Sequence, residues 1–185
     1  CWFCMCRTQG TRSDAPIATY VAALKREIAL LKSHLPAGVT VSRLHLGGGT
    51  PTILTPEMIR DLTAALADLA PMAATGEFSV EIDPNAFDQP RCDALVAAGL
   101  TRASIGVQDF DPAVQQAIGR PLEFARTQQV IDMLRQGGVQ NISTDLLFGL
   151  PYQTEDAIRK STRQLLSCAL DRVALYGYIH LPAMI

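Results

Sequence analysis

Three cysteines stand within the first six residues, at Cys1, Cys4 and Cys6. Thiolates packed so closely rarely serve the core alone, and a C-x-x-C pair suits a zinc ion, a redox-active dithiol or an iron–sulfur cluster equally well. A closed zinc site needs four ligands. No second C-x-x-C pair follows, and His45 and His180 are isolated in the sequence, so a small zinc-binding domain is the lesser alternative. A redox dithiol is expected after a strand and opening a helix, whereas residues 9–15 read as a polar loop. Cys92 and Cys168 stand singly in helix-like segments and read as small buried hydrophobes.

The other groups able to do chemistry are spread along the chain. Gly47-Gly48-Gly49-Thr50-Pro51-Thr52 offers bare backbone N–H groups for close approach by a polar or anionic ligand, or else a tight turn. It is neither a G-x-G-x-x-G nor a phosphate-loop pattern. Glu81 and Asp83 alternate with Val80 and Ile82, which predicts two carboxylates on one side of a strand end. Carboxylates so placed accept hydrogen bonds from ribose hydroxyls or an amine. Arg120, after Gly119, can grip a carboxylate with two parallel N–H donors.

The elements that must position these groups follow from periodicity. Apolar residues at helical spacing predict a helix over 15–35, and a strand over 41–46 runs into the glycines. Thr55 before Pro56 reads as the cap of a helix reaching about Leu69. The series continues with strand 78–82, helix 89–98, strand 103–107, short helix 112–118, helix 123–136, strand 141–147, helix 155–168 and strand 173–179. Strands alternating with helices at a repeat of roughly thirty residues imply parallel pairing and right-handed crossovers, an α/β fold read as one domain. Glu81, Asp83, Gln108, Asp109, Asp145 and His180 collect where strands end, the ligand-binding edge of parallel α/β folds, whether barrel or open sheet.

Composition narrows the classes further. At 185 residues with 48% hydrophobic content the chain can bury a substantial core, and a net charge of −2 excludes a broad basic surface for nucleic acid. No apolar run approaches the roughly 20 residues of a membrane span. The expectation is a cytoplasmic protein without a disulfide framework. Neither end looks natural: a cysteine opens the chain inside a ligand motif, and it closes on an apolar run.

Taken in order, the motifs resemble a family. Cys-x-Phe-Cys-x-Cys at 1–6, Gly-Gly-Gly-Thr-Pro-Thr at 47–52, Glu-Ile-Asp-Pro at 81–84, Gly-Val-Gln-Asp-Phe at 106–110, Asp-Leu-Leu-Phe-Gly-Leu-Pro at 145–151 and His-Leu-Pro at 180–182 are similar to the oxygen-independent coproporphyrinogen III oxidases. These are radical S-adenosylmethionine (SAM) enzymes. Cys6 and Asp109 favour the oxidases over their haem-chaperone relatives, which remain the alternative.

The resemblance implies a partial (β/α) radical SAM barrel of parallel strands spanning residues 1–185, with the first strand and a helical C-terminal domain outside the chain. It implies a [4Fe–4S] cluster on three cysteines, Cys1 and Cys4 being the second and third and the first lying four residues upstream, where a tyrosine is also expected. Cys6 matches an additional cysteine that is not a cluster ligand. Two SAM molecules are implied. Gly48, Gly49 and Thr50 line their sites and Glu81 holds the first, while Phe3, Cys6, Gln108, Arg120, Asp145 and Ile179 serve the second; Ile179 stands where relatives often have a smaller residue. No catalytic residue is assigned. The implied reaction is oxidative decarboxylation of two propionates of coproporphyrinogen III to vinyl groups of protoporphyrinogen IX, in haem biosynthesis, by a SAM-derived 5′-deoxyadenosyl radical. The implied partners are that substrate and an electron donor such as flavodoxin or ferredoxin, acting on a monomer. With one cluster cysteine outside it, the segment is expected to be inactive alone.

Overall fold

The computed structural model describes residues 2–4 and 10–180. Cys1, Cys6 and the Leu181-Pro182 end of the last motif lie outside the described residues.

The strands are β1 (Val41–Leu46), β2 (Met72–Ile82), β3 (Arg102–Gln108), β4 (Asn141–Phe148) and β5 (Arg172–Gly177). The helices are α1 (Ala15–His34), α2 (Pro56–Leu69), α3 (Gln89–Ala97), α4 (Pro112–Ala117), α5 (Phe124–Gln136) and α6 (Glu155–Leu166). The strands form one sheet in the order β1-β2-β3-β4-β5, every pair parallel, curled into a half-barrel. Parallel neighbours cannot be joined by a tight turn, so each connection is a helical crossover.

Alternation along the strands separates the two faces of the sheet. Phe78, Val80 and Ile82 of β2, Ala103, Ile105 and Val107 of β3, and Ile142, Thr144 and Leu146 of β4 are all buried, and the apolar ones pack with helix residues such as Leu62, Leu95, Val130, Leu134 and Leu165. Each Val, Ile or Phe buried there contributes about 1.5–3 kcal/mol. The intervening positions, Ser79 and Glu81, Ser104 and Gly106, and Asp145 and Leu147, are only half-buried on the concave face.

Most predicted boundaries hold, because local chemistry punctuates the chain. Thr55 Oγ accepts the Met58 N–H at 3.2 Å, and Pro56 opens α2 as expected. Asp88, Asp111 and Thr154 cap α3, α4 and α6 in the same way. Two differences concern β2 and the loops. β2 begins at Met72 rather than 78, because Val41 pairs with Met72 across a register irregularity. Short 3₁₀ turns at Pro51–Ile53 and Pro84–Ala86 occupy segments read only as loops.

Candidate functional site

The C-terminal ends of β1 and β2 bring the glycine run against Glu81. Gly48 N–H donates to Glu81 Oε2 at 3.1 Å, and Glu81 Oε1 lies 3.5 Å from His45 Nε2. His45 Nδ1 is in turn 2.9 Å from Ser79 Oγ, across the register pair that joins β1 to β2. The glycines are needed there for two different reasons. A Cβ on Gly47 would fall 2.4 Å from His45 Nε2 and 3.1 Å from Glu81 Oε1, whereas Gly48 has open space but a φ of +106° that L side chains rarely adopt. The run is therefore more than a turn: it leaves bare backbone facing a carboxylate. Thr50 follows, its hydroxyl donating to the Gly49 carbonyl at 2.8 Å.

A second group of polar side chains meets over Gly106. A Cβ at that position would lie 3.2 Å from an Arg120 guanidinium nitrogen and 3.3 Å from Gln108 Nε2, so the missing side chain lets both converge. Arg120 donates to the Gly106 carbonyl at 3.1 Å and lies 3.4 Å from Asp83 Oδ1. Asp145 pairs in register with Gly106 across β3 and β4. Burial first, and then the charge of Glu81, push the Asp145 carboxyl above its ordinary range, while the Ser104 hydroxyl, Arg120 and Arg102 pull it down. The two groups thus belong to one concave surface, on which Glu81 and Asp145 repel each other.

The expected pair Glu81 and Asp83 divides at the strand end. β2 stops at Ile82, so Asp83 leaves the pleat; its Oδ1 accepts the Asn85 N–H at 3.1 Å and pairs with Arg120. Asp109 follows Gln108 as expected, yet its carboxylate is sealed by Ser161 of α6 and by Gln153 of the loop before it, and the residue is 0% exposed.

The cysteine segment reaches the same edge of the sheet through Trp2 and Phe3. Trp2 N–H donates to the Ile118 carbonyl at 2.9 Å, and Phe3 packs on Val114, Ile118 and Leu150 beside Leu147 and Tyr178. Cys4 is exposed just beyond. Ile179 lies two residues past β5 and is 72% exposed. Among the described residues no three His, Cys, Asp or Glu side chains converge to hold a metal ion. Cys1 and Cys6 are outside that set.

Sequence reasoning treated His45 as isolated and passed over Ser104 entirely. Both lie on the concave face that Glu81 and Asp145 share, and the signal was available: His45 and Ser104 hold the alternate, non-core positions of their strands. Burial pushes the Cys92 thiol up to about 11 and also raises that of Cys168, in keeping with a packing role.

A family model described as the radical SAM superfamily matches residues 1–165. The oxygen-independent coproporphyrinogen III oxidase of Paracoccus denitrificans is 54% identical over 184 residues, covering 100% of this chain and 41% of that protein. Its counterpart in Cereibacter sphaeroides is 53% identical with the same coverage. The chain thus spans about two fifths of the length of these relatives. Among solved structures, the coproporphyrinogen III oxidase of Escherichia coli, described as a radical SAM enzyme, superposes with a TM-score of 0.94 at 34% identity, covering 100% of this chain and 42% of that one. The radical SAM methyltransferase TsrM of Kitasatospora setae shares the fold, with a TM-score of 0.66 at 18% identity over 87% of this chain and 31% of that one.

Proposed function

The chain belongs to the radical SAM superfamily, and from that premise we propose that it is the core of an oxygen-independent coproporphyrinogen III oxidase acting in haem biosynthesis. The observation that carries this reading is the concave pairing of Glu81, held by Gly48 N–H, with Asp145, flanked by Arg120 over Gly106. The charge of Glu81 adds to the cost of ionising Asp145, which suits a cationic ligand between them, and SAM carries an ammonium and a sulfonium. Its carboxylate suits Arg120, and its ribose hydroxyls and adenine suit carboxylate, amide and bare backbone groups. The residues present therefore fit SAM chemically.

In this reading Gly48, Gly49, Thr50 and Glu81 hold one SAM, and Phe3, Cys6, Gln108, Arg120, Asp145 and Ile179 serve a second. Cys1 and Cys4 supply two of three thiolates to a [4Fe–4S] cluster. The bound cluster and SAM supply the one-electron chemistry that opens an unactivated C–H bond. What the chain contributes is position. The core-facing half of each strand fixes the sheet, the bare backbone of residues 47–49 admits the ligand close to Glu81, and the Phe3 seat brings Cys4 to the same edge. Coproporphyrinogen III as substrate, a flavodoxin or ferredoxin as donor, a monomeric state and a cytoplasmic setting complete the proposal, with residues 1–185 as the radical SAM core domain. No helix among the described residues is long and apolar enough to cross a membrane.

The test is anaerobic reconstitution, with iron and sulfide, of the chain extended upstream to include the remaining cluster cysteine, followed by SAM titration read by calorimetry and electron paramagnetic resonance. SAM binding is expected to fall about tenfold in Glu81→Gln and in Asp145→Asn, the loss of a charge-assisted hydrogen bond. Undiminished binding in both variants overturns the reading. Haem added to the chain is expected to give no tight Soret shift; such a shift supports a haem chaperone instead. A stable SAM-responsive four-iron signal from this segment alone overturns the expectation that the segment is inactive by itself.

A further inference from the structure

Gln108 occupies a strained backbone, and the groups that keep it there lie outside the ligand-facing set. Its φ is +73°, and the Asp109 N–H donates to the Val107 carbonyl at 3.0 Å. That bond closes a γ-turn with a left-handed central residue, an arrangement that is rare and costly for a side chain other than glycine. The register between β3 and β4 shifts at the same point, between Gly106 and Gln108. An irregularity there re-aims the side chain that follows it.

The neighbouring Asp109 carboxylate is 0% exposed and fully engaged. Oδ1 accepts the Ser161 hydroxyl at 2.6 Å and the Asp111 N–H at 2.8 Å, and Oδ2 accepts Gln153 Nε2. Ser161 Oγ also accepts the Phe110 N–H at 3.0 Å, so its single proton is committed to Asp109. Gln153 cannot turn its amide over, because Oε1 accepts the Gly149 N–H at 2.8 Å and Nε2 donates to the Leu147 carbonyl at 2.8 Å. One buried carboxylate thereby ties the loop after β3 to α6 and to the loop after β4.

We propose that Asp109 is a positioning residue: it touches no ligand, and it holds Gln108 in the left-handed turn that delivers the Gln108 side chain beside Arg120 over Gly106. The effect on ligand binding rests on the reading of Gln108 as a SAM contact; the hold on the turn does not. Asp109→Asn keeps the shape of the side chain but sets an NH₂ group against a committed donor, either Gln153 Nε2 or Ser161 Oγ, whichever way the amide faces.

Two measurements on the full chain test this. The first needs no ligand: amide hydrogen exchange over residues 108–111. Asp109→Asn is expected to speed exchange there at least tenfold while β1 and β2 keep their protection, and unchanged exchange over 108–111 overturns the proposal. The second is a double-mutant cycle read by SAM titration of the reconstituted chain extended upstream to include the remaining cluster cysteine. Asp109→Asn is expected to weaken binding about tenfold, but less than twofold when Gln108→Ala is already present. Equal losses in the two backgrounds overturn positioning through Gln108. A chain that binds no SAM in any form removes the functional reading instead, and the exchange measurement still decides the role of Asp109. If Asp109→Asn does not fold, Ser161→Ala carries the same two measurements with the same expected directions.

Discussion

The Gly48 amide donates to the Glu81 carboxylate at 3.1 Å, joining residues 33 apart in sequence across the ends of two adjacent parallel strands. The bond satisfies one lobe of the carboxylate and leaves a glycine backbone with open space around it at the end of the sheet.

The two glycines beside that bond should fail differently. Gly47→Ala pushes against the end of the His45 ring, which can swing away, so stability should change by no more than about 0.5 kcal/mol while SAM affinity falls as His45 and Glu81 are displaced. Gly48→Ala meets no atom but must hold φ near +106°, and should cost about 1–2 kcal/mol. Thermal melts and calorimetry on the two variants separate these outcomes; equal destabilisation contradicts the assignment.

Asp145 gives stability a sign that pH can reveal. Its folded carboxyl holds a proton more tightly than the unfolded chain does, chiefly through burial and then through Glu81. Ionisation therefore lowers stability as pH rises from the ordinary value of 3.8 through the raised folded value, and below both the penalty is absent. Asp145→Asn is expected to melt above the parent chain at pH 7, with the gap closing toward pH 4. A variant no more stable than the parent at pH 7 refutes this.

Trp2 is the single tryptophan of the chain and lies against Gly119, where a Cβ would come within 3.1 Å of its ring. Gly119 also has φ +63°. Gly119→Ala should cost about 1–2 kcal/mol and release the indole, seen as lower fluorescence anisotropy. Phe3→Ala should release it too, by emptying the seat on Val114, Ile118 and Leu150. Unchanged anisotropy in both variants places the cysteine segment elsewhere.

Cys92 is 0% exposed, with its thiol pushed up to about 11 by burial and then by Asp93. Iodoacetamide at pH 8 should leave it unmodified in the native chain and alkylate it after denaturation. Labelling of native Cys92 at the rate of an exposed thiol would show that α3 does not pack as described.

Much of the architecture could be read in advance because its causes are local. Thr55-Pro56 starts a helix through one hydroxyl and one locked φ, and Phe78, Val80 and Ile82 alternate because a strand has period two. The start of β2 escaped this logic: Met72-Ala73-Ala74-Thr75-Gly76 has no clear strand pattern, and it is extended because β1 lies beside it. The candidate site divides in the same way. Glu81, Gln108 and Asp145 announced themselves as polar residues at strand ends, whereas His45 became a partner of Glu81 only through the pairing of β1 with β2.

By itself the sequence determined the alternation of strands and helices, the glycine opening before α2 and the set of polar groups at one edge of the sheet, since these depend on periodicity, capping and backbone freedom. Only the tertiary structure decided which of those groups share a surface. Register across parallel strands set Asp145 beside Gly106, and the missing side chain there let Arg120 and Gln108 converge. The same folding sealed Asp109 against Ser161 and Gln153, residues 52 and 44 positions away. Adjacent residues Gln108 and Asp109 thereby face opposite ways, because the left-handed turn at Gln108 sets its amide over Gly106 while the Asp109 carboxylate is sealed inside the protein.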